Sequence, residues 1–256
     1  MSLNKVAIII VNYNNYQDTL SCLRSLQKIY LKGITVDKIL VDNGSTDDSI
    51  NQIRKEFPKI NLIVSSKNLG FAGGVNFGLR QAIAKKSDYV LLLNNDTQIS
   101  EPNLIKKMLS TKADIVSPLI KFKRNNQTLT DYGGRVDYLF ARNTHYYRPG
   151  RFDYLSGVCL LIKTEVFQKI GLFNEHFFLY YEDADFCLRA RQAGFKLTLA
   201  KNTSVFHSLS SSANKLGKNK IKILADSQIY FSKKHLPKIS FPFYTAYNLY
   251  LRFKIL

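Results

Sequence analysis

The chain has no tryptophan, and its three cysteines, Cys22, Cys159 and Cys187, form no Cys-x-x-Cys pair. An odd, unpaired set leaves no disulfide framework to read and suits the reduced, buried thiols of a cytosolic protein. Long hydrophobic runs are missing too. The apolar stretch in "MSLNKVAIIIVNYNN" is too brief for a membrane span and lacks the small-residue cleavage site of a secretion signal. The sequence therefore predicts a cytoplasmic protein, and the sequon at Asn43 carries no weight. Acids are scarce: 19 Asp and Glu against 37 Lys and Arg give a net charge of +18. An anionic partner is implied. No helix-turn-helix, zinc-finger or ribonucleoprotein motif accompanies that charge, which argues against nucleic acid. The nicotinamide fingerprint G-x-G-x-x-G and the phosphate-loop pattern G-x-x-x-x-G-K-[ST] are also absent, as is any internal repeat.

What is there is a 256-residue chain, 45% hydrophobic, with enough apolar residues for a real core. Short, β-branched, continuously apolar runs at 5–11, 38–42, 60–65, 89–94 and 113–117 suit strands covered on both faces. Helical patterns lie between them: Leu20, Leu23 and Leu26; Ile50, Ile53 and Phe57; and "GGVNFGLRQAIAKK". Strands alternating with helices predict βαβ units and a mostly parallel sheet. The segment 118–155 has no clear period and reads as a flap of loops and short strands. Beyond it, "YLSGVCLLIK" predicts a strand and "EDADFCLRARQAGF" a helix ending at Gly194. "KLTLA" and "TSVFH" predict two more strands.

Parallel sheets bind ligands at the carboxyl ends of their strands, and there the polar clusters fall. Asp42 opens "VDNGSTDDS", where its carboxylate can accept from a ribose or base, or where Ser45, Thr46 and Asp47 simply cap a helix. "NLGFAGGVNFG" places glycines at 70, 73, 74 and 78, so that backbone N–H groups can approach a phosphate. "LLLNNDTQIS" ends a buried strand in Asn94, Asn95 and Asp96, hard oxygen donors suited to Mg²⁺ or Mn²⁺ with a bound diphosphate. The competing reading is a cap, with Thr97 or Ser100 starting the next helix. His207 ends another predicted strand, and its value depends on whether the fold brings it beside Asp96. His145, His176 and His235 have no such setting.

"FFLYYEDADFCLRARQAGF" sets Glu182, Asp183 and Asp185 behind an aromatic run. On a helix Glu182 and Asp185 share a face and Asp183 points elsewhere. They are first-turn acids favouring the helix dipole, or one of them is a general base in an aromatic-walled pocket.

Taken in order, "IIIVNYN", "VDNGSTD", "NLGFAGGVNFG", "LLLNNDT" and the Phe177–Phe195 stretch resemble the inverting glycosyltransferases of the family-2 type with a GT-A fold, nearest to their rhamnosyltransferase-like branch. The resemblance covers about residues 4–210. It implies an α/β, Rossmann-like, mostly parallel mixed sheet flanked by helices, and transfer of rhamnose or another hexose from a nucleotide-diphosphate sugar. The acceptor it implies is a hydroxyl of a growing surface polysaccharide or lipid-linked glycan. It assigns Val11, Tyr13 and Asp42 to the nucleotide, and Asn68, Gly73 and Asn76 to the ribose-diphosphate and sugar. Asn95 and Asp96 fall on the metal motif, with His207 joining the Mg²⁺ or Mn²⁺ or the diphosphate, and Asp183 is the base with Glu182 beside it. Two departures stand out: the metal motif is Asn-Asn-Asp, and "SLSSSANKLGKNK" after His207 is unusually basic. A sugar-nucleotide-binding pseudoenzyme and a sugar-phosphate nucleotidyltransferase are the competing readings. The latter calls for Arg and Lys in the loop after the first strand, which here reads "NYNNYQ".

Two parts are expected, a GT-A domain over 1–210 and a basic, aromatic, helical extension over 211–256. From residue 201 onward ten Lys and Arg face one acid, Asp226, and the chain closes on "SFPFYTAYNLYLRFKIL". Lysines interleaved with aromatics suit an anionic membrane interface. The alternative is a helix packed on the domain.

Overall fold

The structure is a computed structural model that describes residues 4–140, 142–209 and 219–253. Its first half alternates strand and helix as the periodicity predicts: β1 (Asn4–Asn12), α1 (Tyr16–Leu26), β2 (Ile34–Asp42), α2 (Ser49–Glu56), β3 (Asn61–Val64), α3 (Gly70–Ala84) and β4 (Tyr89–Asn94). Then follow β5 (Thr97–Gln98), α4 (Leu104–Leu109), β6 (Ile115–Arg124), β7 (Gln127–Asp131), β8 (Gly134–Asp137) and β9 (Arg142–His145). The chain continues through β10 (Cys159–Lys163), α5 (Thr164–Ile170), α6 (Glu182–Gln192), β11 (Leu197–His207), α7 (Asn219–His235) and α8 (Phe241–Phe253).

The main sheet runs β3-β2-β1-β4-β10-β6-β11-β5. Pairs β1–β2, β1–β4, β2–β3 and β6–β11 are parallel, while β10 runs antiparallel to both its neighbours. Successive side chains of a strand point to opposite faces, and β1 shows why its run is continuously apolar. Ala7 and Ile9 join one core with Val75 and Leu79 of α3 and Phe186 of α6. Ile8 and Ile10 join the other with Leu20 and Leu23 of α1 and Met108 of α4. Both faces are covered, so no polar position is left inside the strand.

Because β2 and β4 flank β1 on opposite sides, the strand order reverses at β1, which opens a crevice at the carboxyl ends. Three differences from the expected elements matter there. Thr97 and Gln98 form an edge strand paired with Phe206 and His207, and no helix starts at them. The two strands expected near 196–207 are one, β11, with a register shift between Ala200 and Ser204. The segment 118–155 is built of antiparallel pairs, β6–β7 and β8–β9. Helix α5 has no counterpart in the sequence reading.

Residues 219–253 pack back onto the sheet domain. Phe231 of α7 is fully buried, and Tyr244 of α8 is 5% exposed. Gln228 donates to the Phe140 and Tyr244 carbonyls, and its Oε1 accepts from Asn248. Among the described residues no helix is long and apolar enough to cross a membrane.

Candidate active site

A cleft of about 640 Å³ opens at the carboxyl ends of β1, β2 and β4. Of the residues singled out in the sequence, Val11, Tyr13, Asn68, Asn95, Asp96, Glu182, Asp183 and His207 line it. Asp42, Gly73 and Asn76 are not among the lining residues. Asp42 is fully buried, and its carboxylate accepts from Asn12 Nδ2 (2.8 Å) and the Ser45 N–H (2.9 Å). Asn76 is pinned to the Phe173 backbone and Glu175. A Cβ on Gly73 would press on the Leu69 side chain.

A buried polar chain fixes the strand ends. Asn95 Nδ2 donates to Thr19 Oγ1 (2.9 Å), Thr19 Oγ1 donates to Asn12 Oδ1 (2.7 Å), and Asn12 donates on to Asp42. Such a network holds its shape because each member is satisfied by the next. Asn43, one residue past Asp42, lies in the cleft wall instead. Its amide bonds the Gly70 carbonyl, and its carbonyl accepts the Leu69 N–H, which ties the β2 loop to the glycine-rich turn.

That turn carries the acids. Gly70 has φ +72°, and a Cβ there would run into the Phe178 backbone. The neighbouring Phe71 N–H donates to the Phe178 carbonyl at 2.7 Å. The chain from Phe178 then bends through Tyr180 and Tyr181, both left-handed with φ +70° and +69°. Such a conformation costs a non-glycine residue about 1–3 kcal/mol. It starts α6 abruptly with Glu182 and Asp183 at the cleft.

The acids then part company. Asp183 accepts the Gly157 N–H at Oδ2 (3.0 Å) and the Ala184 N–H at Oδ1 (2.8 Å). Glu182 is 7% exposed, and its Oε2 is buried without a hydrogen-bond partner. Burial and then the charge of Asp183 push the Glu182 carboxyl well up. Burial also raises Asp183, opposed by His145 and by the Gly157 and Ala184 N–H groups. The pair therefore holds one negative charge, with Glu182 as the member that keeps a proton. Asp185, which the helical spacing groups with Glu182, faces away from the cleft and meets Arg189 (2.8 Å), Lys234 (2.6 Å) and His235 (2.7 Å).

In the same cleft, Asp96 Oδ1 stands 3.0 Å from His207 Nε2. The β5–β11 pairing makes this contact, with the Ser208 N–H also bonding the Asp96 carbonyl. Among the described residues no cluster of three or more His, Cys, Asp or Glu could hold a metal unaided. The donors nonetheless fit a divalent ion that takes its other ligands from phosphate oxygens. Asn94, whose Oδ1 is buried and unpartnered, adds a further hard oxygen beside Asp96 in the same cleft. Of the basic stretch after His207, residues 210–218 lie outside the described residues. Lys220, at the start of α7, lines the cleft.

The sequence reading missed Asn43, the Ser156–Gly157 turn and Lys220. Only Gly157, which interrupts the predicted strand "YLSGVC", gave a signal of its own.

A sheet of this order with donors at its strand ends is the architecture of the GT-A fold, and solved structures agree on that fold. GalNAc-T7, solved with UDP, GalNAc and Mn²⁺, matches with a TM-score of 0.68 and 16% identity, covering 87% of this chain and 48% of that one. The mannosyltransferase PcManGT of Pyrobaculum calidifontis, in complex with GDP-Man and Mn²⁺, matches with a TM-score of 0.62 and 15% identity over 96% of this chain and 69% of its own. The model of glycosyl transferase family 2 matches residues 7–171, and the chain belongs to that family; it is a glycosyltransferase. It is 29% identical over 220 residues to the low-salt glycan biosynthesis hexosyltransferase Agl10 of Haloferax volcanii, covering 80% of this chain and 67% of that protein. It is 28% identical over 204 residues to an N-acetylglucosaminyl-diphospho-decaprenol L-rhamnosyltransferase of Mycobacterium tuberculosis, with 67% and 66% covered. The chain thus spans about two thirds of the length of these relatives.

Proposed function

We propose that the protein is an inverting transferase that moves rhamnose or another hexose from a nucleotide-diphosphate sugar to a hydroxyl of a surface polysaccharide or lipid-linked glycan. The observation that carries this reading is the shared cleft: Asp96 and His207, in contact with each other, line it together with Asp183. Val11, Tyr13 and Asn43 bind the nucleotide, and Asn68 borders the ribose and diphosphate. Asp42, Gly73 and Asn76 act behind them by shaping the loops. Asp96 and His207 would hold Mg²⁺ or Mn²⁺, which when bound neutralises the departing diphosphate.

Asp183 accepts the proton of the acceptor hydroxyl. The oxygen attacks the anomeric carbon as the bond to the diphosphate breaks, so the configuration inverts in one displacement. Aromatic walls from Phe71, Phe178 and Tyr180 exclude water and suit a sugar face. The test offers UDP-, dTDP- and GDP-sugars to wild type and Asp183→Asn. Transfer from one donor with inverted product, lost in the variant, supports the reading; a retained configuration or full activity of the variant overturns it.

We also infer that the enzyme works at an anionic membrane surface. Ile239, Phe241, Leu249, Tyr250 and Phe253 are exposed on and beside α8. Phe243 stacks edge-on against Phe140, next to exposed Tyr138 and Leu139 at the β8–β9 tip. Lys238 and Arg252 are exposed on the same segment, Arg252 paired with Asp226, and the whole chain carries +18. Exposed apolar side chains on a chain of this positive charge match a bilayer of anionic lipid, and a lipid-linked acceptor resides there.

A further inference from the structure

Asp183 has an electrostatic partner that the catalytic reading does not use. His145 ends β9, where it pairs with Gly134 of β8. Its Nδ1 stands 2.8 Å from Oδ2 of Asp131 on β7, an acid whose side chain is only 8% exposed. The other oxygen of Asp131 accepts the Gly133 N–H at 2.7 Å, so the carboxylate is fixed. The imidazole meets the Tyr154 ring edge-on, centroids 5.3 Å apart.

Tyr154 begins the stretch that runs along the catalytic helix on its way into β10. The Leu155 N–H bonds Cys187 Sγ of α6, and the Gly157 N–H bonds Asp183 itself. Hairpin, stretch and helix are therefore packed in succession, and few charges enter. Facing His145 are Asp131 from β7, Asp183 from α6 and the Tyr154 phenol, whose titration burial pushes far up. Around Asp183 stand Glu182, His145, Asp131, Tyr154 and the Cys187 thiol. Burial alone would lower His145, but its ion pair with Asp131 outweighs that and raises it, with Asp183 adding to the effect. In return, His145 is the first influence drawing Asp183 down against burial, while the Asp131 carboxylate behind it pushes Asp183 up.

We propose that His145, held by Asp131 and packed on Tyr154 behind the stretch whose Gly157 N–H bonds Asp183, is a positioning residue for the catalytic base. The proposal rests on Asp183 being the base. Without the imidazolium, only the Gly157 and Ala184 N–H groups hold the charge of Asp183 against burial, and the carboxyl ionises at higher pH. Asp131 anchors the imidazole in its charged form, and the β8–β9 hairpin delivers it.

The experiment compares pH profiles of kcat/KM for wild type, His145→Gln and His145→Lys. Removing the cation makes Asp183 harder to ionise, so the acid limb of His145→Gln moves up by about one pH unit. His145→Lys brings the limb back toward wild type. An even loss at every pH with the limb in place overturns the proposal. A second measurement follows the imidazole of His145 by NMR: it titrates at lower pH in Asp183→Asn than in wild type, and an unchanged titration also overturns it. Full transfer by Asp183→Asn is a separate outcome, which sinks the base assignment itself.

Discussion

Glu182, Asp183 and Asp185 lie on one turn of helix, yet their surroundings leave Glu182 with its proton and the two aspartates charged. Asp183 has N–H donors and stays anionic, so replacing it with Asn removes the base and leaves the shape. Transfer is expected to fall about 10²–10⁴-fold, while stabilisation by the donor persists in a thermal shift assay. Glu182 behaves oppositely, since its buried Oε2 has no partner. Its folded form holds a proton more tightly than the unfolded chain does. The corresponding stability is present below the ordinary carboxylate range and is lost as pH rises above it. Glu182→Gln keeps the neutral shape, so its Tm should exceed that of wild type by roughly 2–4 °C near pH 8 and match it near pH 4. A Tm difference that does not vary with pH would contradict that account.

At the scale of elements, Asp185 is the joint between α6 and α7. Burial alone would raise its carboxyl, but the His235 hydrogen bond, with Arg189 and Lys234, brings it down to about 2. A lowered carboxyl contributes stability that is present above the unfolded value and lost as pH falls toward 2. Asp185→Asn strands three donors beside one another, and urea unfolding should show a loss of about 3–5 kcal/mol at neutral pH. A loss under about 1 kcal/mol, the size of a surface pair, would mean that the joint carries nothing. Here the limits of the sequence become physical. The strands β1 to β4 were legible because each is apolar on both faces. β5 was not, because two residues become a strand only by pairing with Phe206 and His207, over a hundred positions away. Asp42 and Asn43 were confused for a related reason. Adjacent residues at a strand end point opposite ways, and the sequence does not say which one faces the cleft. His145 carried no local signal, since its meaning comes from Asp131 and Asp183 across the fold.

The whole molecule carries two surfaces of interest, the cleft and the exposed apolar patch on and beside α8. Helices α7 and α8 join the two, for Lys220 opens α7 at the cleft while Phe253 ends α8 in the exposed patch. Flotation with vesicles containing anionic lipid should recover the protein at low salt and release it as salt is raised. Phe243→Ser with Leu249→Ser should weaken that recovery at every salt concentration. Equal flotation on neutral vesicles, or none on anionic ones, would remove the membrane reading without touching the catalytic one. The central claim is that donor and base occupy distinct parts of a single cleft, Asp96 with the diphosphate and Asp183 with the acceptor. Ligand binding to the native state raises Tm by mass action, so the most direct measurement is the thermal shift given by a nucleoside diphosphate with Mn²⁺. Wild type and Asp183→Asn should be stabilised equally, and Asp96→Asn should lose the Mn²⁺-dependent part. A full Mn²⁺-dependent shift in Asp96→Asn, or its loss in Asp183→Asn, would contradict the account.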